Sequence, residues 1–581
     1  MNAIPSLLTG QLDIWTTAET EKKSGRGRSG GNGASVYGIN KLRELILELA
    51  VRGKLVPQDP NDEPAGELLK RIQIEKAKLI TEGKIKKDKP LPPISEEEKP
   101  FELPRGWEWV RLGLIGDWGA GATPLRSISS YYGGKMPWFK SGELTADFID
   151  SAEETITDLA LKECSLRLNR PGDVLIAMYG ATIGKAAILK ISGTTNQAIC
   201  ACTPNTGIFN RYLLVLLKAL KSNFIGQGAG GAQPNISREK IIATIAALPP
   251  TEEQHRIVAK VDELMAVCDQ LETQHSNAAE AHEQLVNHLL GTLTQSQNAD
   301  DFSTNWQRIA AHFDTLFTTE ASIDSLKQAL LQLAVMGKLV PQDPNDEPAS
   351  ELLKRIQAEK AKLIAEGKIK KDKPLPPITE EEKPFELPQG WEWVKLKDIV
   401  YILGDGLHGT PIYTPDTGCY FVNGNNLNNG QIIIKPETKT VSLDEMKKYK
   451  KNLNERTIFV SINGTIGNVA FYNDENIILG KSACYFNLAN LIYKNFVKLL
   501  LESPYFMSYA YNCVSGTTIM NLSLFSMNNF PLPIPPLPEQ HRLVTKVDDL
   551  MTLCDQLKSR ITQASQLQQK LADVIVEQAI L

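Results

Sequence analysis

Two stretches of the chain carry a sustained heptad pattern. From Ile257, seam positions recur at Val261, Leu264, Cys268, Leu271, His275, Ala278, His282, Leu285 and Leu289, in alternating steps of four and three. From Leu543 the same steps run through Val547, Leu550, Cys554, Leu557, Ile561, Ala564, Leu571 and Ile575, broken only at Gln568. A repeat of this period places one stripe along a helix, so both stretches are predicted to be long coiled-coil helices. Thr251 with Gln254 three residues on reads as a capping box, and Pro538 suits a first helical position. His275, His282 and Gln568 read as register-setting or interface positions. The two histidines lie about two turns apart, too far to share one ion.

The chain also repeats itself. Gly53–Leu112 recurs as Gly337–Leu396, with differences only at Gly66/Ser350, Ile74/Ala358, Thr81/Ala365, Ser95/Thr379, Arg105/Gln389 and Arg111/Lys395. Leu248–Val258, with its Glu253-Gln-His-Arg, recurs as Ile534–Val544. Periods this long exclude a solenoid and indicate a duplicated half-molecule. Between the repeated blocks, Trp118–Ala247 and Val400–Pro533 share only a skeleton: Gly121-Ala-Thr-Pro against Gly406-Leu-His-Gly-Thr-Pro, Tyr179-Gly-Ala-Thr-Ile-Gly against Asn463-Gly-Thr-Ile-Gly, and Asn235-Ile-Ser against Asn521-Leu-Ser. Drift alone should not spare one block and scramble its neighbour. Near-identical frameworks around dissimilar inserts suit a device with two independent specificities.

Shorter helices are expected at Ile39–Ala50 and Ser325–Val335, and charged helices at Ala65–Glu82 and Ser350–Glu366. Within the inserts, Asp173–Tyr179 and Thr457–Asn463 read as strands ending in glycine turns, with helical runs such as Tyr212–Leu220 among them. The expected class is α/β: two mixed α/β domains joined and separated by long antiparallel coiled-coil helices in a pseudo-two-fold duplication. The divisions are 1–38, an extension with a flexible Ser24–Ala34 stretch; 39–99, framework helices; 100–250, first insert domain; 251–383, central framework with coil; 384–536, second insert domain; and 537–581, C-terminal coil.

Composition narrows the function. Lysine and arginine number 63 against 68 acidic residues, a formal charge of −5, which does not advertise a nucleic-acid binder. A DNA-binding surface would have to be local or completed by a partner. No apolar run suits a bilayer and no signal pattern opens the chain, so a cytoplasmic protein is expected. The eight cysteines are scattered, with Cys200 and Cys202 too close for a zinc knuckle, and read as structural thiols. Gly226-Gln-Gly-Ala-Gly-Gly follows a helical run rather than a strand, which argues against a dinucleotide loop. Gly480-Lys-Ser lacks the leading glycine of a phosphate loop. No Asn/Asp-Pro-Pro-aromatic motif, nucleophile elbow or metal-ligand spacing is present. The chain reads as a binder, with no catalytic residues, no metal and no cofactor of its own.

The order of helix, variable insert closing on Leu-Pro-Pro-x-x-Glu-Gln-His-Arg, long coil, then the same again resembles the specificity subunits of Type I restriction–modification systems. Lys54-Leu-Val-Pro-Gln-Asp-Pro-Asn-Asp-Glu-Pro and Gly106-Trp-Glu-Trp-Val are similar to their framework segments. The resemblance implies two target-recognition domains, each reading half of an asymmetric bipartite DNA site. It implies two methyltransferase subunits, which bring S-adenosylmethionine and methylate adenine, and restriction subunits that use ATP and magnesium. The coil seam, at Ile257, Val261, Leu264, Leu271, Leu543, Val547, Leu550 and Leu557, would dock partners. A helix of about 60 Å would serve as a ruler between heads spaced one DNA turn apart.

Base readout favours amides and basic side chains on loops. The candidates are Thr123, Arg126, Lys140, Tyr179, Thr182, Asn196, Gln197, Gln233 and Asn235 in the first insert. In the second they are His408, Thr410, Asn423, Asn425, Asn426, Asn463, Lys481, Thr517 and Asn521. Each could instead be a turn-forming or capping residue. Lys84, Lys86, Lys87 and Lys89 read as a solvated linker. The alternative function is a protein–protein scaffold acting through its coils without DNA specificity, which the acidic balance favours; a fused modifying enzyme is a more distant rival.

Overall fold

Both heptad stretches form single helices of 44 residues, Thr251–Thr294 and Leu537–Ile580. The computed structural model describes residues 12–18, 36–82, 90–228, 234–297, 299–371, 374–515 and 520–580. The chain divides into two units, 1–278 with 564–581 and 279–563, the divisions falling within the two long helices.

In the first unit, Ile257, Val261, Leu264 and Cys268 of the first long helix share a core with Ile39, Leu42, Leu45 and Leu49 of the helix Tyr37–Val51. Ala572 and Ile575, from the end of the second long helix, join them. Arg43 pairs with Asp269 at 2.7 Å and Glu272 at 2.8 Å, and Tyr37 Oη donates to Asp573 at 2.7 Å. The two long helices therefore run antiparallel here. The second unit has its own counterpart: Val286, Leu290 and Leu293 meet Cys554 and the helix Glu320–Val335 through Leu326, Leu330 and Leu333. Lys558 pairs with Asp324 at 2.8 Å, and Lys327 with Asp555. Burial holds the Cys268 thiol up to about 11, consistent with an inert structural role.

The seam departs from strict heptads. Leu285 and Leu571 are 49% and 44% exposed, and their neighbours Val286 and Ala572 are buried instead. A straight helix drifts about 20° per heptad, so the four heptads from Ile257 accumulate about 80°, nearly the 100° between adjacent residues. Thr273, Gln274 and residues 276–281 are exposed, so no neighbour forces supercoiling there. The proposed docking residues also need correction. Ile257, Val261, Leu264, Leu543 and Val547 are buried in the chain's own core, with Leu271, Leu550 and Leu557 packed at its margin. The five buried residues hold the fold and are not free to meet a partner.

The repeated blocks meet at a joint found in each unit. Glu253, 1% exposed, accepts from Trp107 Nε1 at 2.9 Å and from Gln58 Nε2 at 3.1 Å. Glu539, equally buried, accepts from Trp391 Nε1 at 3.0 Å and Gln342 Nε2 at 3.1 Å. Arg256 pairs with Asp62 at 2.6 Å, and Arg542 with Asp346 at 2.7 Å. His255 packs on Phe209 and His541 on Tyr493, with ring centroids 4.0 and 3.9 Å apart. The expected capping box is absent. Thr251 Oγ1 donates to the Gly207 carbonyl, and Gln254 accepts from the Phe209 amide and donates to the Pro249 carbonyl. Pro538 is the second residue of its helix, not the first.

Strand pairs form the neck of each insert, Glu108–Arg111 with Ile245–Leu248 and Glu392–Lys395 with Pro531–Ile534. Above the first neck stands a five-stranded sheet in the order Gly116–Ala120, Ile199–Pro204, Val174–Ala177, Ala186–Leu189 and Phe148–Ile149, beside a three-stranded sheet. Above the second is a four-stranded sheet of Val400–Asp405, Ala483–Leu488, Thr457–Ser461 and Val469–Phe471, with smaller two-stranded pairs. In the stretch read as an N-terminal extension, Leu12–Thr17 is a helix with Trp15 fully buried. It lies so close to Gly38 that a Cβ there would stand 2.4 Å from the Trp15 carbonyl oxygen. The Ser24–Ala34 stretch and Lys84, Lys86, Lys87 and Lys89 lie outside the described residues.

Burial pushes the Glu253 and Glu539 carboxyls up, opposed by the Trp and Gln hydrogen bonds. A raised folded value means that the proton binds the folded joint more tightly. That contribution to stability is complete below the unfolded value of about 4.3 and is lost as pH rises through the folded value. Glu253→Ala should destabilise the protein by about 2–3 kcal/mol, because it strands the Trp107 N–H in the core. Denaturant unfolding measures this, and a double-mutant cycle with Trp107→Phe should show coupling rather than additivity.

Candidate nucleic-acid interface

The order of strands brings separate loops to one end of each head. In the first, Gly116–Ala120 ends opposite Cys200 and Val174–Ala177 ends opposite Ile199, so loops 121–126, 178–184 and 196–198 leave the sheet together. Backbone bonds lock them: Ala122 N to Thr195 O at 3.0 Å, Asn196 N to Phe139 O at 2.9 Å, and Met178 N to Ala198 O at 2.8 Å. Gly180 N to Pro234 O at 2.8 Å and the Tyr179–Asn235 bridge add residues 234–236. The second head repeats the plan, with Asp405 opposite Cys484 and Ser461 opposite Ala483, and with Leu407 N bonded to Leu479 O at 2.7 Å. Asn463 bridges Asn521 there, as Tyr179 bridges Asn235 in the first head.

Thr123, Arg126, Lys140, Tyr179, Thr182, Asn196, Gln197 and Asn235 thus gather on one loop cluster. His408, Thr410, Asn423, Asn425, Asn463, Lys481 and Asn521 occupy the corresponding loops of the second head. Gln233 and Thr517 lie outside the described residues. Availability divides the set. Tyr179, Gln197, Asn235, Thr410, Asn425, Lys481 and Asn521 are exposed. His408 is exposed and pairs with Asp405. Arg126 pairs with Glu154 at 2.6 Å and lies over Tyr132 and Trp138, and Lys140 pairs with Glu153 at 2.7 Å and Glu154 at 3.2 Å. These two cations are held in place by carboxylates, and hydrogen bonds from Arg126 and Lys140 push the Glu154 carboxyl down.

Others serve the loops themselves. Asn426 is 4% exposed, accepts from Asn423 N and donates to Ile433 O and Thr438 Oγ1, so its amide is used up inside the head and cannot read a base. Asn196 Oδ1 accepts from Ala198 N, Thr182 Oγ1 donates to Tyr179 O, and Asn423 Oδ1 accepts from Ser482 Oγ.

Sequence reasoning missed a basic edge. The helix Leu443–Tyr449 and the residues after it carry Lys447, Lys448, Lys450 and Lys451, and Glu445 from this helix accepts from the Ile412 amide of the loop cluster. The Lys-Lys-Tyr-Lys-Lys run was visible, but only the fold brings it beside loop 406–414. Residues 100–250 and 384–536 together hold 27 basic and 24 acidic side chains, so the chain's acidic excess belongs to the framework. Among the described residues no group of three or more His, Cys, Asp or Glu could hold a metal ion, and no helix is long and apolar enough to cross a membrane.

The family model for the Type I restriction modification DNA specificity domain matches residues 104–281 and again 388–565. The specificity subunit of the Escherichia coli Type I restriction enzyme EcoAI is 42% identical over the whole of both chains. That of EcoEI, also from Escherichia coli, is 39% identical over the whole of both. A solved HsdS subunit from Thermoanaerobacter tengcongensis aligns with TM-score 0.38 and 18% identity, covering 83% of this chain and 98% of that one.

A Cβ on Gly121 would lie 2.3 Å from the carbonyl oxygens of Thr195 and Asn196, and one on Gly406 2.2 Å from that of Gly480. Gly121→Ala should force the first loop off the sheet end at a cost of about 1–3 kcal/mol. Thermal unfolding together with protease cleavage confined to 121–126 would report it.

Proposed function

Because this chain belongs to the Type I restriction–modification DNA specificity family, we propose that it reads an asymmetric, bipartite DNA site, one half with each head. It performs no chemistry. The loop clusters at the two sheet ends face the duplex, and partner subunits methylate or cleave under its direction, in the cytoplasm. S-adenosylmethionine sits in two methyltransferase partners, and ATP with magnesium in the restriction partners. The observation that carries this reading is that one loop constellation occurs on two heads whose loop side chains differ. One reading geometry with two side-chain sets specifies two different half-sites.

Thr123, Arg126, Lys140, Tyr179, Gln197 and Asn235 are the polar readers of the first head, and His408, Thr410, Asn425, Asn463, Lys481 and Asn521 those of the second. Thr182, Asn196 and Asn423 shape the loops. Gln233 and Thr517 remain reader candidates on their motif positions. The paired long helices set the spacing between half-sites. Since the seam is occupied by the chain itself, the methyltransferase docks on exposed apolar positions that recur in both helices, Val267 with Leu553 and Leu285 with Leu571, all 44–54% exposed. The scaffold alternative loses its main support once the acidic excess is located in the framework.

Exchanging Trp118–Ala247 for another insert should change one half-site and leave the other intact, as read by mapping modified adenines. A change in both halves sinks the two-reader model. Replacing Lys447, Lys450 and Lys451 by Gln should lower the slope of log affinity against log salt by about 1–3 for the assembled methyltransferase, with the recognised sequence unchanged. An unaltered slope would remove the basic edge from the interface.

A further inference from the structure

The two loop clusters share a feature that polar readout leaves unused. Thr123-Pro124-Leu125 in the first head corresponds to Thr410-Pro411-Ile412 in the second. In both, the proline is buried and the following aliphatic side chain is exposed, Leu125 by 66% and Ile412 by 72%. Isolated exposed aliphatics are common on protein surfaces and mean little singly. Here the exposure recurs at the same point of the same loop in two heads whose loop side chains otherwise differ.

Neither tip is loosely held. The base of the first loop is clamped by Gly121 against Thr195 and Asn196, and its crest by Tyr132 Oη donating to the Pro124 carbonyl at 2.6 Å. The second is clamped by Gly406 against Gly480, with Glu445 accepting from the Ile412 amide itself at 3.4 Å. A side chain presented on a braced backbone loses little conformational freedom on binding, and an apolar one gains only when something covers it. Polar candidates flank each tip: Thr123 and Arg126 about Leu125, Thr410 about Ile412. Among base edges in the major groove, the one apolar feature is the C5 methyl of thymine.

Resting on the two-reader function above, we propose that Leu125 and Ile412 are specificity-determining residues, each packing on the C5 methyl of one thymine in its own half-site. This makes part of each half-site's A·T preference apolar rather than hydrogen-bonded. The test is a scan in which each thymine is replaced in turn by deoxyuridine, which removes the methyl and keeps the pairing. It uses the full chain assembled with its methyltransferase partner.

One replacement in each half-site should weaken binding by about three- to tenfold, the scale of burying one or two methyl-sized groups. Leu125→Ala should abolish the uracil effect in the first half-site only, and Ile412→Ala in the second only; both variants should melt like the parent. Three results would overturn the proposal: no sensitivity to any uracil, a uracil effect that survives the alanine variants, or an equal loss on all sequences. If the assembly shows no bipartite specificity, the two-reader function itself fails. Bipartite binding indifferent to thymine methyls removes only the present inference.

Discussion

A buried carboxylate organises each half of this protein. Glu253 and Glu539 each take an indole N–H and a glutamine amide within 3.1 Å, at positions almost closed to water. Withdrawing a carboxylate from water is costly unless its lone pairs are satisfied, so these donors are conditions for the joint to form. Once formed, it fastens three things at one point: the start of a long helix, the framework segment after the short helix, and the neck of the head. Each neighbour in Glu-Gln-His-Arg has its own attachment. The glutamine meets the head's backbone, the histidine an aromatic ring, and the arginine an aspartate near a Pro-bearing turn.

That anatomy accounts for the repetition of the residues that build the joint. Gly53, in the left-handed region at φ 67°, sits against Pro104 and Trp107, and Gly337 against Pro388 and Trp391 in the same way. Trp107 and Gln58 both donate to Glu253, so a change in one block strands a partner in another. Residues of the heads' outer loops face no such demand. Repetition of the joint residues beside dissimilar loops is therefore the expected signature of a buried joint next to an open surface.

The sequence made the architecture legible because its strongest signals were periodic or repeated. The two long helices and the framework helices could be placed within a few residues of where they stand. What failed had a common cause, dependence on partners far away in the chain. Thr251 and Gln254 fit a local capping pattern, yet both side chains are taken by segments 207–209 and 249. Leu285 and Leu571 fit the heptad, but helical drift hands their places to Val286 and Ala572. Among the candidate readers, Asn426 could not be told from a reading amide until Ile433 and Thr438 were seen to consume it. Arg126 and Lys140 gave no hint of sharing Glu154, because nothing in their spacing marks a carboxylate that distant.

The joint also explains how one socket holds two unlike heads. In the first unit the framework grips the insert through its main chain: Gln254 takes the Phe209 amide, Thr251 the Gly207 carbonyl, and strand Glu108–Arg111 pairs with Ile245–Leu248. In the second, Gln540 takes the Tyr493 amide and Glu392–Lys395 pairs with Pro531–Ile534. Backbone groups are the same whatever side chains surround them, and the histidine contact asks only for an aromatic ring, which Phe209 and Tyr493 both supply. A socket that holds the insert at its base in this way constrains its path and leaves the loops at the other end free to vary. Attachment at the base of the head and sequence-bearing loops at the far sheet end are thus separate on each head, so a new specificity need not disturb the framework that carries it.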